Sequence, residues 1–372
     1  MTKKFKIGDL KLVVQGQNAL AEELCHYFLY CEDDTWDGNA DLRIVISDTE
    51  VLKEQTFYSL SGKFGFSENE IQKRDAMINY HIEGLFAENE ETVISIFLKK
   101  KDSIHSRITR SLTGYQVGLN SFEAQCVDNL MIYSFFWYIL PVVMLKSQMA
   151  FVHSSISVYN GKGIAVVGTG GCGKTSFELK LLEDASSKYV SEDFGIVSSK
   201  GKAFYNPKYV SIYQSDIAYG QKDLVKLKNN MKLQQKIQWA FSVMRNENPI
   251  VRVSAIDLLG QDRIAQVCEI ENAVYFARSK EKKVKIEQIS AKEMAKRATR
   301  ASFRELSYLY ELMMNAEAVC AGNLEIPTME ELIRKQEEIL EQAFSHTRNY
   351  LVVVPLKAGP QEIFEKLRSI IE

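Results

Sequence analysis

The stretch FVHSSISVYNGKGIAVVGTGGCGKTSFELKLLE (residues 151–183) decides how the rest of the chain is read. SSISVY (154–159) and GIAVVG (163–168) are short strand-like runs joined around Asn160-Gly161, and Asn-Gly is the strongest short hairpin signal because both residues accept positive φ. A glycine-rich loop follows, and then a helix from about Lys174 with apolar Phe177, Leu179, Leu181 and Leu182. Gly168 to Thr175, GTGGCGKT, satisfies the phosphate-loop pattern G-x-x-x-x-G-K-[ST] in full. Glycines let consecutive backbone N–H groups turn inward toward phosphate oxygens, where a side chain would collide. The positive end of the following helix adds to that field. Gly168, Thr169, Gly170, Gly171, Cys172, Gly173, Lys174, Thr175 and Ser176 are therefore the expected ATP-binding segment. Lys174 is expected on the β- and γ-phosphates, and the Thr175 hydroxyl on Mg²⁺.

The same residues also fit a dinucleotide fingerprint, Gly168-x-Gly170-x-x-Gly173, with Glu192 or Asp193 about 20 residues on, where a ribose-binding acid belongs. Two features favour phosphoryl chemistry over NAD(P). Lys174-Thr175 supplies a charge and a hydroxyl that a dinucleotide turn does not need. The hairpin also places an antiparallel partner beside the motif strand, where a dinucleotide unit has a parallel sheet. Cys172 sits inside the loop at a position that tolerates most residues and receives no role of its own.

Glu192-Asp193 closes the strand-like KYVSED (188–193) and is the natural acidic partner of the loop. One carboxylate is suited to Mg²⁺ and the other to accepting a proton from an attacking hydroxyl. His153 precedes Lys174 on the neighbouring hairpin strand, where a ring nitrogen can face the phosphates or the carboxylates; a satisfied core histidine is the plain alternative.

His153, the Asn160-Gly161 hairpin, GTGGCGKT and Glu192-Asp193 together resemble the bacterial HPr kinase/phosphorylase family. The resemblance is strongest to its HPr-kinase-related members, which share a fold core with phosphoenolpyruvate carboxykinase. It covers about 151–213 closely and the remainder in outline, including FGIVSSKGKAFYNPKYVSIY with its proline after a strand–turn–strand. It implies that Lys174 and Thr175 handle phosphates and Mg²⁺, that Glu192 is the catalytic carboxylate and Asp193 the metal-side acid, and that His153 is catalytic. Glu192 stands where the family has aspartate. The Leu-Glu-Ile-Arg-Gly signature of bifunctional members has no counterpart.

Outward from this segment, the 372 residues carry 46 Lys+Arg against 48 Asp+Glu, with 46% hydrophobic residues, as in an ordinary globular chain. Disordered, collagenous and disulfide-scaffold readings are excluded, and the near-neutral charge gives no reason to expect nucleic acid or a membrane as partner. The six cysteines and five histidines form no zinc-ligand spacing, and the start MTKKFKIGDLKLVV lacks a signal-peptide core, so a cytoplasmic location is expected. Leu130 to Leu145 is apolar apart from Ser134 and Pro141 but is short for a span, and reads as a buried helix.

Before it, KLVVQG (11–16), DLRIVIS (41–47) and TVISIFLKK (92–100) read as strands, ALAEELCHYFLYC (19–31) as a helix and FYSLSGKFGF (57–66) as a hairpin. After the loop, KYVSEDFGIV (188–197), AFYNPKYVSIY (203–213), VRVSAIDLLG (251–260), AVYFARS (273–279) and YLVVVPL (350–356) read as strands. Helices are expected over 221–246, over 289–321 and from Pro360. The fold class is thus α/β (α+β), with an N-terminal mixed domain over 1–118 and a phosphate-loop domain with a mixed sheet over 119–372, in which 119–150 is a buried connecting helix. Arg245, Arg252, Arg297, Arg300 and Arg304 are candidates for the charge that phosphoryl transfer needs. The expected activity is an ATP- and Mg²⁺-dependent kinase acting on a hydroxyl of a peptide, protein or small molecule. The alternative is an ATP-sensing assembly module, and a homo-oligomer is compatible with either.

Overall fold

Alternation of buried and half-exposed side chains organises the first sheet. In Leu42–Ser47, Leu42, Ile44 and Ile46 are buried while Arg43, Val45 and Ser47 are half-exposed, the period-two pattern of a sheet covered on one face. The structure is a computed structural model that describes residues 1–59, 62–74, 78–99, 139–213, 236, 240, 243–244, 250–320 and 322–372. Strands β1 (Thr2–Ile7), β2 (Leu10–Gln15), β3 (Leu42–Ser47), β4 (Phe57–Tyr58), β5 (Phe64–Ser67), β6 (Glu70–Arg74), β7 (Ile78–Glu83) and β8 (Thr92–Leu98) form a sheet in the order β1-β2-β3-β8-β7-β6-β5-β4. Helix α1 (Ala19–Tyr27), capped by the Asn18 side chain, connects β2 to β3, which pair in parallel. The hairpin expected around residue 62 is the antiparallel β4–β5 pair; Ser61 lies outside the described residues. β1, β6 and β7 were not anticipated, because TKKFKI and EIQKR are charged and because Gln72, Lys73 and His81, polar residues, are buried here.

The second sheet contains β9 (Met149–Val152), β10 (Ser154–Tyr159), β11 (Lys162–Gly168), β12 (Lys188–Ser191), β13 (Gly195–Ser198) and β14 (Lys202–Phe204), while β15 (Val210–Tyr213) and β16 (Ile250–Val253) pair separately. β17 (Val267–Ser279), β18 (Lys285–Gln288) and β19 (Arg348–Pro355) complete it. β11–β17 and β17–β19 are parallel, whereas β10–β11, β14–β17 and β13–β14 are antiparallel. The phosphate-loop strand therefore has one antiparallel and one parallel neighbour in a mixed sheet. Together with its helices this makes the chain α/β, as expected.

The remaining helices among the described residues are α2 (Leu140–Lys146), α3 (Lys174–Leu181), α4 (Ala255–Leu259), α5 (Ala291–Glu305), α6 (Ser307–Cys320), α7 (Met329–Phe344) and α8 (Pro360–Ile371). Leu140 to Leu145 are all buried, and Pro141 occupies the first turn of α2, where its missing N–H is no loss. Residues 130–138 of that apolar run, the expected 118/119 boundary and nearly all of the helix expected over 221–246 lie outside the described residues. No helix among the described residues is long and apolar enough to cross a membrane.

Four expectations are corrected, the first being AFYNPKYVSIY, which is the end of β14 and then β15, with residues 205–209 outside any strand. KYVSEDFGIV is two strands, β12 and β13, parted at Asp193, whose φ is +69°. VRVSAIDLLG is strand β16 followed by α4, because the Ser254 side chain accepts from Ile256 N–H and starts a helix. The long helix over 289–321 breaks at Leu306, a fully buried residue with ψ +44° that marks the end of α5. The break lets α6 reach the first sheet, where Lys63 pairs with Glu311 at 2.8 Å. α7 was missed despite its capping box, Thr328 with Glu331.

One buried cluster joins the two sheets, with Phe5, Leu12 and Ile44 from the first and Phe151 and Ile196 from the second; Tyr27 and Tyr209 stack at 4.8 Å. The β10–β11 turn has Asn160 at φ +51° and Gly161 at φ +78°, the left-handed pair that a two-residue hairpin demands. A Cβ on Gly161 would meet nothing within 4 Å, so Gly161→Ala acts through backbone strain alone. The expected loss in urea unfolding is about 1 kcal/mol; an unchanged midpoint would show that the turn bears no such strain.

Candidate functional site

β11 ends at Gly168 and α3 begins at Lys174, so the loop between them lies at the carboxyl edge of the parallel strands β11, β17 and β19, where sites collect in α/β folds. Among the described residues no carbonyl accepts the backbone N–H groups of Gly170, Gly171 or Gly173. Lys174 is only 6% exposed. Its Nζ donates to the carbonyls of Gly168 (3.1 Å) and Thr169 (3.3 Å) and lies 3.1 Å from His153 Nε2. The ammonium is folded onto its own loop beside three free amides, a cradle that fits a polyphosphate.

Two acidic arrangements flank this cradle. Thr175 Oγ1 donates to Glu192 Oε1 at 2.8 Å, while Glu192 Oε2 is buried without a partner. Burial, reinforced by the Asp193 charge, raises the Glu192 carboxyl to about 7 against the pull of Lys208, Thr175 and Lys174. A carboxylate oxygen left bare next to a hydroxyl is a donor set suited to Mg²⁺. Asp193, by contrast, has both oxygens engaged: Oδ1 lies 3.0 Å from His153 Nε2, and Oδ2 accepts from Lys208 Nζ at 2.9 Å. Burial acts to raise Asp193, but Lys208 and His153 overcome it and hold its carboxyl well below the usual range. Aspartate tolerates the left-handed backbone that aims it at this pair.

His153 is buried and touches both sides of the site. Its Nε2–H can donate to Asp193, or its Nε2 lone pair can accept from Lys174, so the proton on this nitrogen lies on a path between the two. Its backbone N–H donates to Ser302 Oγ on α5 at 2.9 Å, and Glu305 Oε1 of the same helix lies 3.8 Å from Nδ1.

The structure thus brings His153, Lys174 and Asp193 together, and Thr175 and Glu192 together. The sequence reading had paired Thr175 with Asp193. Cys172 is buried, and burial pushes its thiol up, away from the reactive thiolate. Of the candidate arginines, Arg297 pairs with Glu293 at 2.7 Å and Arg300 with Glu337 at 3.6 Å. Arg304 is exposed beside Glu305. Arg245 and the Arg252 side chain lie outside the described residues.

Three charged residues were missed. Lys208 is set by Asn206, which accepts from Lys208 N–H at 2.9 Å and donates to Phe194 O at 2.8 Å; nothing in YNPKYV announced it. Glu178 is buried in α3 and takes a hydrogen bond from Ser157 Oγ, and its carboxyl is pushed well above the ordinary range, first by burial and then by the Glu192 charge. Arg278 is a lone cation at the end of the apolar strand AVYFA, which is a legible signal at a parallel strand's carboxyl end.

Lys208→Met removes the cation that keeps Asp193 ionised. Asp193 stabilises the fold above the ordinary aspartate range and loses that contribution as pH falls through its depressed value. The variant is therefore expected to be less stable at pH 7 by about 1–2 kcal/mol, a figure reduced because Asp193 is 32% exposed. The deficit should narrow only as pH falls below the ordinary aspartate range, where the unfolded chain takes up a proton that the folded Asp193 still refuses. A constant deficit across that range would mean that Lys208 serves packing alone.

No family profile matches the chain, and no curated protein matches it in sequence. Among solved structures, the chain is similar to the Hpr(Ser) kinase/phosphatase from Coxiella burnetii at 13% identity and a TM-score of 0.23. The match covers 37% of this chain and 72% of that one. Its extent carries no argument about chemistry, which rests on the side chains described above.

Proposed function

We propose that the protein is an ATP-dependent kinase that passes the γ-phosphoryl group to a hydroxyl, with a serine or threonine of a peptide or protein as the favoured acceptor and a small molecule as the alternative. The observation that supports this reading best is the cradle itself: three amides that no carbonyl of the described residues accepts and a buried ammonium, flanked by a hydroxyl–carboxylate pair. Lys174 and the loop amides hold the phosphates. Thr175 and Glu192 hold Mg²⁺, which neutralises charge on the phosphate oxygens when bound. The Thr175–Glu192 hydrogen bond and the bare Glu192 Oε2 support giving Glu192 the metal-side role that sequence gave to Asp193. Asp193, kept ionised between Lys208 and His153, orients the attacking hydroxyl by accepting its hydrogen bond, with His153 Nε2 beside it on the path by which the proton leaves.

The test is calorimetric titration of Mg·ATP followed by transfer of labelled γ-phosphate to candidate hydroxyl acceptors. Saturable binding and labelling of a hydroxyl support the kinase. Binding with nucleotide-dependent assembly and no labelled acceptor would favour a sensing module instead. An Asp193→Asn variant should keep Mg·ATP binding within a few-fold and lose about a hundredfold or more in transfer. Unimpaired transfer would show that Asp193 does not orient the hydroxyl.

A further inference from the structure

The Arg278 guanidinium, at the end of β17, grips two separate pieces of chain. Nε donates to the Cys172 carbonyl at 2.9 Å, inside the phosphate loop. Nη1 donates to the carbonyls of Pro355 (2.7 Å) and Ala358 (3.3 Å), between β19 and α8. Across a trans peptide the C=O and the following N–H point in opposite directions. Pinning Cys172 O outward therefore fixes the plane of the Cys172–Gly173 peptide and turns the Gly173 N–H the other way, into the cradle, where no carbonyl of the described residues accepts it. The packing at Gly173 agrees. Its φ is +102°, and a Cβ there would stand 2.8 Å from Arg278 Nη2, so the loop is built around the guanidinium.

We propose that Arg278 is a positioning residue for the phosphate loop, aiming the Gly173 amide at bound phosphate and tying the loop to the 355–358 segment. The proposal rests on the reading of the loop as a phosphate site. A lysine cannot replace it, because one ammonium lacks the planar fork that spans three carbonyls in two directions. The guanidinium is not required to touch the nucleotide.

Two readouts on the full chain decide this. The first is hydrogen exchange across 168–176 without nucleotide, in the parent, Arg278→Lys and Arg278→Met. The second is calorimetric affinity for Mg·ATP and for adenosine. Loss of a charge-assisted hydrogen bond predicts exchange in the loop faster by about tenfold or more. Affinity for Mg·ATP should fall about tenfold to a hundredfold in both variants, with adenosine affinity unchanged. Equal loop exchange in the parent and both variants overturns the proposal whether or not ATP binds, and so does parent-like ATP affinity in Arg278→Met. A parent that binds no Mg·ATP removes the phosphate-site reading and with it the proposal, whereas loss of adenosine and ATP binding together would show a general collapse and overturn the positioning role.

Discussion

Lys174→Ala is expected to lose Mg·ATP binding by about a hundredfold or more and to abolish detectable phosphoryl transfer. The geometry gives two reasons. Among the described residues the ammonium is the only cation that donates to the loop carbonyls of Gly168 and Thr169, and the cradle otherwise offers neutral amides. It also sits 3.1 Å from His153 Nε2, so its removal changes the proton balance of the His153–Asp193 pair. Lys174→Arg keeps the charge, but its planar fork does not fit a pocket in which one nitrogen meets two carbonyls and an imidazole, so only partial recovery is expected. The measurement is titration of Mg·ATP into each variant, with thermal unfolding as a control for folding. Undiminished ATP binding in Lys174→Ala would put the phosphates elsewhere, and NAD(P) binding that survives the substitution would return the loop to the dinucleotide reading.

The parts of the site that were legible in sequence are those carried by local spacing. The hairpin, loop and helix of 151–183 follow from backbone rules acting over a few residues, and the structure has them in register, with Tyr159 opposite Lys162. Glu192-Asp193 was legible as a strand end. The division of labour between the two carboxylates was not, because it depends on His153, between β9 and β10, and Lys208, between β14 and β15, arriving from distant parts of the chain. Lys208 reaches Asp193 only because Asn206 clamps the chain to Phe194, a long-range fact with no sequence period. The first sheet was half legible for the opposite reason: β3 and β8 alternate cleanly, but β6 and β7 bury Gln72, Lys73 and His81, which composition assigns to solvent. The break at Leu306 was hidden because the apolar spacing of two helices happens to run on in phase, with neither glycine nor proline to mark the joint.

Glu192→Gln separates function from stability in one substitution. In metal-free buffer the Glu192 carboxyl of the folded protein titrates at about 7, raised by burial from an ordinary 4.5. A group whose folded value is raised stabilises the fold fully below its unfolded value and loses that contribution as pH rises through the folded one. Between pH 5 and 8 the parent should therefore give up as much as about 3 kcal/mol through this residue. Glutamine has nothing to ionise and can still accept from Thr175 Oγ1. The variant is expected to match the parent near pH 5 and to be more stable by up to about 3 kcal/mol at pH 8, read from urea midpoints in the presence of a chelator. Its Mg²⁺-dependent transfer should fall about a hundredfold to a thousandfold, because the neutral amide is a weaker ligand for a hard cation and leaves phosphate charge less compensated. The two effects have opposite signs and one cause, a carboxylate kept charged in a place that resists charge. Equal stabilities at pH 8 would mean that the buried oxygen is solvated after all, and full activity would take Glu192 out of the metal site.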